Sequence, residues 1–313
     1  INRLLVNKKN EVLNIDKITK VSSPEALTKH KKNKKYKFKR IDICNQKIII
    51  SEIKRYKPDV IIHSAAESHV DNSIKSPSKS IKTNFIGTYN LLEAARMINS
   101  NRLIFVYIST DEVYGSLNIN DLPFKESNKF FPNSPYSASK AGAEHLVRAW
   151  HKTYNINTII TNCCNNFGPW QYPEKLIPLT IKNCLLEKKI QIYGSGKNKR
   201  EWISSEDHAK IIIKLISFKN IGESFNIGSG FEIENIKLVK KICNILNKTN
   251  KSKINYLKLI NFIEDRKGHD FRYKVNFKKT LKKIGNYQFQ KFDDHLEKTI
   301  LWYLKNRKWL IVK

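Results

Sequence analysis

Short apolar runs alternate with longer stretches of helical periodicity through the first half of this chain. Glu11 to Asp16, Tyr36 to Asp42, Pro58 to Ala65, Arg102 to Thr110 and Ile156 to Cys163 predict strands, and Gln46 to Tyr56, Ser78 to Ile98 and Ser134 to Tyr154 predict helices. The run from Leu103 to Ile108 is apolar at every position, as expected of a strand covered on both faces. Strand and helix in strict alternation predict the α/β class, with a doubly wound parallel sheet. From Asn166 onward the elements shorten and Pro and Gly become frequent, so a smaller α/β part is expected to follow. The expected division is 1–165 and 166–313, with 200–226 returning to the first part.

Two segments carry candidate chemistry. Ile108-Ser109-Thr110-Asp111-Glu112-Val113-Tyr114-Gly115 places a hydroxyl and two carboxylates at the carboxyl end of a buried strand, where open parallel sheets bind their ligands. Tyr136-Ser137-Ala138-Ser139-Lys140 opens a helix whose start signals are Ser134 and Pro135, so Tyr136 and Lys140 lie one turn apart on one face. An ammonium beside a phenol favours the phenolate, and the tyrosine pKa is expected to fall toward that of a general base. Taken alone, Tyr-x-x-x-Lys is a common surface spacing, Asp111 could cap a turn and Glu112 could be solvated. It is their occurrence together that points to a site.

Composition narrows the picture. The formal charge is +30 over 313 residues, concentrated between Lys29 and Arg40, yet lysine dominates arginine, is spread along the whole chain, and accompanies no nucleic-acid module. A solvated loop accounts for the cluster, nucleic-acid binding is not expected, and the field would draw in an anionic substrate. No uncharged apolar run reaches the roughly 18 residues that span a bilayer, and no signal-peptide core is seen, so a cytoplasmic protein without membrane partners is expected. The five cysteines, Cys44, Cys163, Cys164, Cys184 and Cys243, lack C-x-x-C spacing and read as reduced core thiols. His69 and His269 have no companions at metal spacing, so no metal is expected.

These residues resemble the extended short-chain dehydrogenase/reductase family and, within it, the nucleotide-sugar 4,6-dehydratases. The likeness covers essentially the whole chain. It includes His63-Ser64-Ala65-Ala66-Glu67-Ser68-His69-Val70-Asp71, Thr83-Asn84-Phe85-Ile86-Gly87-Thr88, Leu146-Val147-Arg148-Ala149-Trp150, Asn162-Cys163-Cys164-Asn165-Asn166-Phe167-Gly168-Pro169, Pro173-Glu174-Lys175-Leu176-Ile177-Pro178, Ile192-Tyr193-Gly194, Arg200-Glu201-Trp202 and Asp265-Arg266-Lys267-Gly268-His269. The resemblance implies a Rossmann-type domain, NAD as cofactor and a homodimer formed through helices near Ser78–Ile98 and Ser134–Tyr154.

It further implies an internal redox cycle on a nucleotide sugar. Tyr136, helped by Thr110 and Lys140, would take the 4-hydroxyl proton while hydride leaves carbon 4. Glu112 would take the carbon-5 proton, Asp111 would protonate the departing 6-hydroxyl, and hydride would return to carbon 6. Asp16, ending its strand, suits the adenosine ribose hydroxyls and would repel a 2′-phosphate, favouring NAD over NADP. Lys17, Thr19, Asp42, Ile43, Ala65, Ala66, Thr83, Tyr136, Lys140 and Asn166 complete the implied cofactor set, although Asp16 could be a turn residue and Asp42 a helix cap. For substrate the likeness carries over Ser68, Thr110, Asn165, Lys175, Leu176, Gln191, Ile192, Tyr193, Arg200, Asn235, Asp265, Arg266 and His269, with Arg200 and Arg266 as diphosphate clamps. Overall likeness favours dTDP-glucose, while uridine-using relatives share most of these motifs.

Three departures stand out. Lys267 replaces a usual proline, and Lys20 replaces an aromatic residue. The family's G-x-x-G-x-x-G turn, which would hold the pyrophosphate at a helix amino terminus, is not in the sequence, which begins at Ile1-Asn2-Arg3-Leu4-Leu5 in what resembles the helix after it. A processed or incomplete sequence accounts for this; a chain that truly began there would lack a central strand and should fail to hold NAD. A nucleotide-sugar 4-epimerase would use Tyr136 and Lys140 without the carboxylate pair, and a cofactor-free remnant or scaffold is the third reading.

Overall fold

The computed structural model describes residues 1–98, 100–219, 221–250, 252–285 and 287–313. Four parallel strands, β3 (Val60–His63), β4 (Ile104–Thr110), β5 (Asn157–Cys163) and β9 (Glu223–Ile227), lie in the order β3-β4-β5-β9. Beside them β1 (Val12–Asp16) and β2 (Tyr36–Arg40) form a parallel pair of their own. The apolar run in β4 is explained by cover on both faces. Phe105 and Tyr107 pack with Ile49, Leu91, Leu92 and Val147 on one side, while Ile104 and Val106 pack with Ile211, Leu215 and Phe225 on the other. Each such side chain contributes about 1.5–3 kcal/mol when fully buried.

A second core gathers around β6 (Asn165–Phe167), β7 (Ile190–Tyr193), β8 (Lys199–Ser204), β10 (Glu232–Glu234) and β11 (Ile260–Ile263), in sheets ordered β10-β8-β6 and β11-β7. Trp202, Leu238, Ile242, Leu296 and Tyr303 fill it. Only Cys164 separates β5 from β6, so the chain passes from the end of the first sheet straight into the second region. Helix Ser205–Ser217 and β9 then return to the first sheet. Among the described residues no helix is long and apolar enough to cross a membrane.

Most predicted elements hold to within a few residues. The exception is Ser78 to Ile98, expected as one helix: Pro77–Ser80 is α-helical, Ile81–Ile86 is a wider π-helical stretch, and Gly87–Ile98 is α-helical again. π-Helical turns collect at functional sites, and this one turns Thr83 and Asn84 inward. Asn84 donates to the Glu67 carbonyl (3.1 Å) and to Ser139 Oγ (2.9 Å) and accepts from the Glu67 N–H (2.8 Å), tying three segments together.

Candidate active site

The register of the first sheet builds the site. Thr110 and Cys163 are paired at the carboxyl ends of β4 and β5. Thr110 caps the 3-10 turn Asp111–Tyr114: its Oγ1 accepts from the Glu112 N–H and donates to Asp111 Oδ1, both at 3.3 Å. Gly115 closes the turn at φ +89°, where a Cβ would stand 2.5 Å from the Phe131 carbonyl oxygen. Thr110 is therefore the cap, and Asp111 points into the interior, 2% exposed, with Oδ2 buried and without a hydrogen-bond partner.

The two carboxylates have unequal surroundings. Burial holds Asp111 well above the usual carboxylate range, and Glu112 and Glu201 add to the effect. Burial also raises Glu112, but Arg200, Lys175 and Arg266 pull it back. Neighbouring carboxyls driven apart in this way suit one acid and one base.

Tyr136 follows a capping box in which Ser134 and Ser137 each bond the other's backbone N–H, with Pro135 in the first turn. Its phenol is buried near Thr110 and Glu112. The expected fall in its pKa is not what the structure shows: burial raises Tyr136 well above 10, with Glu112 adding to the rise. The reason is where Lys140 points. Its Nζ donates to the Ile108 carbonyl at 2.6 Å and lies 4.2 Å from the centre of the Tyr107 ring. Burial lowers Lys140 itself to about 8, with Cys163 and Glu144 working against the fall.

The cofactor candidates line the carboxyl ends of β1 to β5. Asp16 ends β1, its Oδ1 accepting from the Ile18 N–H (2.6 Å) and Ser22 Oγ (3.2 Å). Thr19 donates its N–H to Ser22 Oγ (3.0 Å), and Lys17 Nζ reaches Glu67 (3.1 Å) and Thr83 Oγ1 (3.3 Å). Asp42 Oδ1 accepts from the Cys44 N–H (2.9 Å), a turn contact, while Ile43 is buried and its side chain abuts Gly87. Ala65 and Ala66 follow β3 with little side-chain bulk. Asn166 bonds the Cys164 carbonyl (3.1 Å), and its Oδ1 meets His208 Nδ1 (2.8 Å).

Substrate candidates fall into three groups. Tyr193, Arg266, Asp265 and His269 form a linked set: Tyr193 Oη donates to Asp71 Oδ2 (3.1 Å), Arg266 to Asp71 Oδ1 (3.3 Å), and His269 Nδ1 meets Asp265 Oδ1 (2.6 Å). Arg266 Nε is buried without a partner, as is Asn235 Oδ1. Lys175 Nζ donates to the Ser68 carbonyl at 2.6 Å, bringing the segment before Leu176 against the loop after β3. Gln191 is exposed on β7, Asn165 is half-buried on β6, and Ile192 points into the second core, leaving only its backbone to meet a ligand.

Arg200 takes a position that spacing did not suggest. Its guanidinium donates to the carbonyls of Lys199 (2.8 Å), Phe271 (3.2 Å) and Asp270 (2.8 Å) and lies over the Tyr273 ring. It thus fixes the 270–273 loop while its charge reaches Glu112 and Asp111. Sequence reasoning missed Asp71, the shared acceptor for Tyr193 and Arg266, although it ends the quoted Ser68-His69-Val70-Asp71 string. It also missed Glu201, whose buried carboxylate receives the N–H groups of Ser229, Gly230 and Val275. An acid one residue from Arg200 inside a strand was the available signal.

This fold and this constellation define an extended short-chain dehydrogenase/reductase of the sugar-modifying kind, and the family model described as GDP-mannose 4,6 dehydratase matches residues 1–299. A dTDP-glucose 4,6-dehydratase of Neisseria meningitidis serogroup B is 43% identical over 99% of this chain and 90% of its own length. The structure of the dTDP-glucose 4,6-dehydratase DesIV from Streptomyces venezuelae superposes with a TM-score of 0.90 at 36% identity, covering 98% of this chain and 94% of that one. The corresponding enzyme of Bacillus anthracis, in complex with NAD, gives 0.87 at 35% identity, covering 98% and 92%. The chain belongs to the dTDP-glucose 4,6-dehydratase family.

Proposed function

We propose that this chain converts dTDP-glucose to dTDP-4-keto-6-deoxyglucose with NAD as cofactor. The observation that carries the reading is the unequal carboxylate pair, Asp111 and Glu112, set beside Tyr136 and Lys140. A 4-epimerase needs the tyrosine and lysine but has no use for a buried acid next to a base.

The residues present fit NAD. Asp16 offers a carboxylate where a ribose would lie, and that charge opposes a 2′-phosphate. The small Ala65 and Ala66 allow close approach of a flat group, and Thr83, Asn166 and the Tyr136–Lys140 pair stand at the same sheet edge. Bound there, NAD supplies an acceptor and later a donor of hydride. Tyr136 then takes the 4-hydroxyl proton as a phenolate, a form that burial disfavours and that the nearby Lys140 ammonium favours, with Thr110 beside it. Glu112 removes the carbon-5 proton once the ketone has acidified it, and Asp111 donates to the leaving 6-hydroxyl. Arg266, with Tyr193, Lys175, Ser68, Asn165, Leu176, Gln191, Ile192, Asn235, Asp265 and His269, holds the nucleotide diphosphate, and Arg200 orders the loop that brings Arg266 and His269 into place.

The reading extends to organisation. Residues 1–165 with 200–226 hold the cofactor, and most of 166–313 holds the nucleotide sugar. Two copies pair through Gly87–Ile98 and Pro135–Tyr154, where Met97 and Tyr154 are exposed, and the five free cysteines suit a reducing cytoplasm. Product analysis tests the function: with NAD, dTDP-glucose should give the 4-keto-6-deoxy sugar faster than UDP-glucose. A galactose-configured product would replace this reading with the epimerase one, and preference for UDP-glucose would reassign the base.

A further inference from the structure

The cations around the site are not equally free. On the functional reading above, on which this inference rests, Arg266 meets the nucleotide diphosphate, and with Arg200 and Lys175 it is one of three cations whose charge bears on Glu112. Arg200 gives its donors to the backbone carbonyls of Lys199, Phe271 and Asp270, and Lys175 gives one to that of Ser68. Among the described residues only Arg266 of the three is ion-paired, and its partner is Asp71.

That partner already occupies the clamp. Asp71 stands in the first turn of helix Val70–Lys75, and its two oxygens reach two residues of the second region: Oδ2 accepts from Tyr193 Oη at 3.1 Å and Oδ1 from Arg266 Nη1 at 3.3 Å. The pair is loose. Charge-assisted N–H···O bonds run about 2.7–2.9 Å, and a guanidinium grips an oxyanion best through two parallel bonds. Asp71 takes one bond and leaves Arg266 Nε buried without a partner. A buried donor left unpaired is costly, so a ligand that satisfies Nε gains where Asp71 does not. To close its fork on a phosphate, Nε included, the guanidinium has to turn away from Asp71.

We propose that Asp71 is an anion gate, and so a specificity-determining residue, on the diphosphate subsite: its carboxylate holds Arg266 and Tyr193 until the ligand's own negative charge displaces it. Nucleotide then binds by exchanging one anion for another, and no covalent bond changes. The exchange favours a ligand that brings enough charge to replace a carboxylate, and a nucleoside without phosphate does not open the pair. Like charges set side by side cost free energy. The displaced Asp71 therefore opposes binding of the diphosphate and hastens release of a diphosphate product.

Calorimetric titration of the NAD-loaded protein with dTDP and with thymidine tests the gate. Asp71→Asn, which keeps an acceptor for Tyr193 but removes the charge, should bind dTDP about ten-fold tighter than the unsubstituted protein. Asp71→Ala, which removes the acceptor as well, should also tighten it, and Asp71→Glu, which keeps the charge, should stay near the parental affinity. Thymidine should bind all four proteins alike. Weaker or unchanged dTDP binding in the neutral variants overturns the gate and leaves Asp71 as a residue that orients Arg266. Equal tightening of dTDP and thymidine overturns it too, because the effect would then lie in the base or ribose contacts. If none of the four proteins binds dTDP, it is the functional reading that fails, and the gate falls with it.

Discussion

The two ends of the site are built on opposite physical terms. At the proposed catalytic end, Asp111, Glu112, Tyr136 and Lys140 sit at the edge of a parallel sheet, and burial is the first cause of every pKa displacement among them. At the proposed nucleotide end, Tyr193, Arg266, Asp71, Asp265 and His269 come from a short strand, the first turn of helix Val70–Lys75 and a loop and pair with one another, and Asp265 lies below the usual range chiefly because His269 bonds it. Removing a buried group changes which protonation states exist, whereas removing a paired binding group changes how firmly a ligand is held. The first end should therefore control kcat and its pH dependence, and the second KM.

Asp111→Asn probes the contrast at its strongest. Product formation should fall about a hundred-fold, while Tyr136 and Lys140 still permit oxidation at carbon 4, so reduced nicotinamide should accumulate on the enzyme. Loss of rate without that absorbance would place Asp111 in folding or binding instead. The pH profile comes next. Lys140 is depressed from 10.5 to about 8, so its charge is present below that value and lost above it. The rate should fall about ten-fold per pH unit on the alkaline side; a profile flat to pH 10 would remove the ammonium from the mechanism. The smallest effect belongs to the other, less buried end. Arg266→Lys, which keeps the charge but loses the planar fork, should raise KM about five-fold and leave kcat within two-fold. The reverse pattern would erase the distinction between the two ends.

The same contrast explains what could be read from sequence. β4 and the Pro135–Tyr154 helix were legible because burial on both faces writes an unbroken apolar run, and because Ser134 and Pro135 are local start signals. Their meeting followed from strand-end topology, which put Thr110, Asp111 and Glu112 near Tyr136. The π-helical stretch was not legible, since its wider turn is imposed by Asn84 bonding to Glu67 and Ser139 across the fold. The Tyr136 expectation erred because helical spacing fixes where Lys140 starts but not where its ammonium ends, and the Ile108 carbonyl captured it. Arg200 shows the same limit of spacing: guanidinium chemistry suits phosphate, but only tertiary structure reveals that three carbonyls already engage its terminal nitrogens.

The most direct test of the account follows one atom. dTDP-glucose carrying deuterium at carbon 4 is converted by the protein with NAD, and the product is read by nuclear magnetic resonance. If the carboxylate pair turns an oxidation into a dehydration, the deuterium should be found at carbon 6 of a 4-keto-6-deoxy sugar. Deuterium returned to carbon 4 of an epimerised hexose would contradict it.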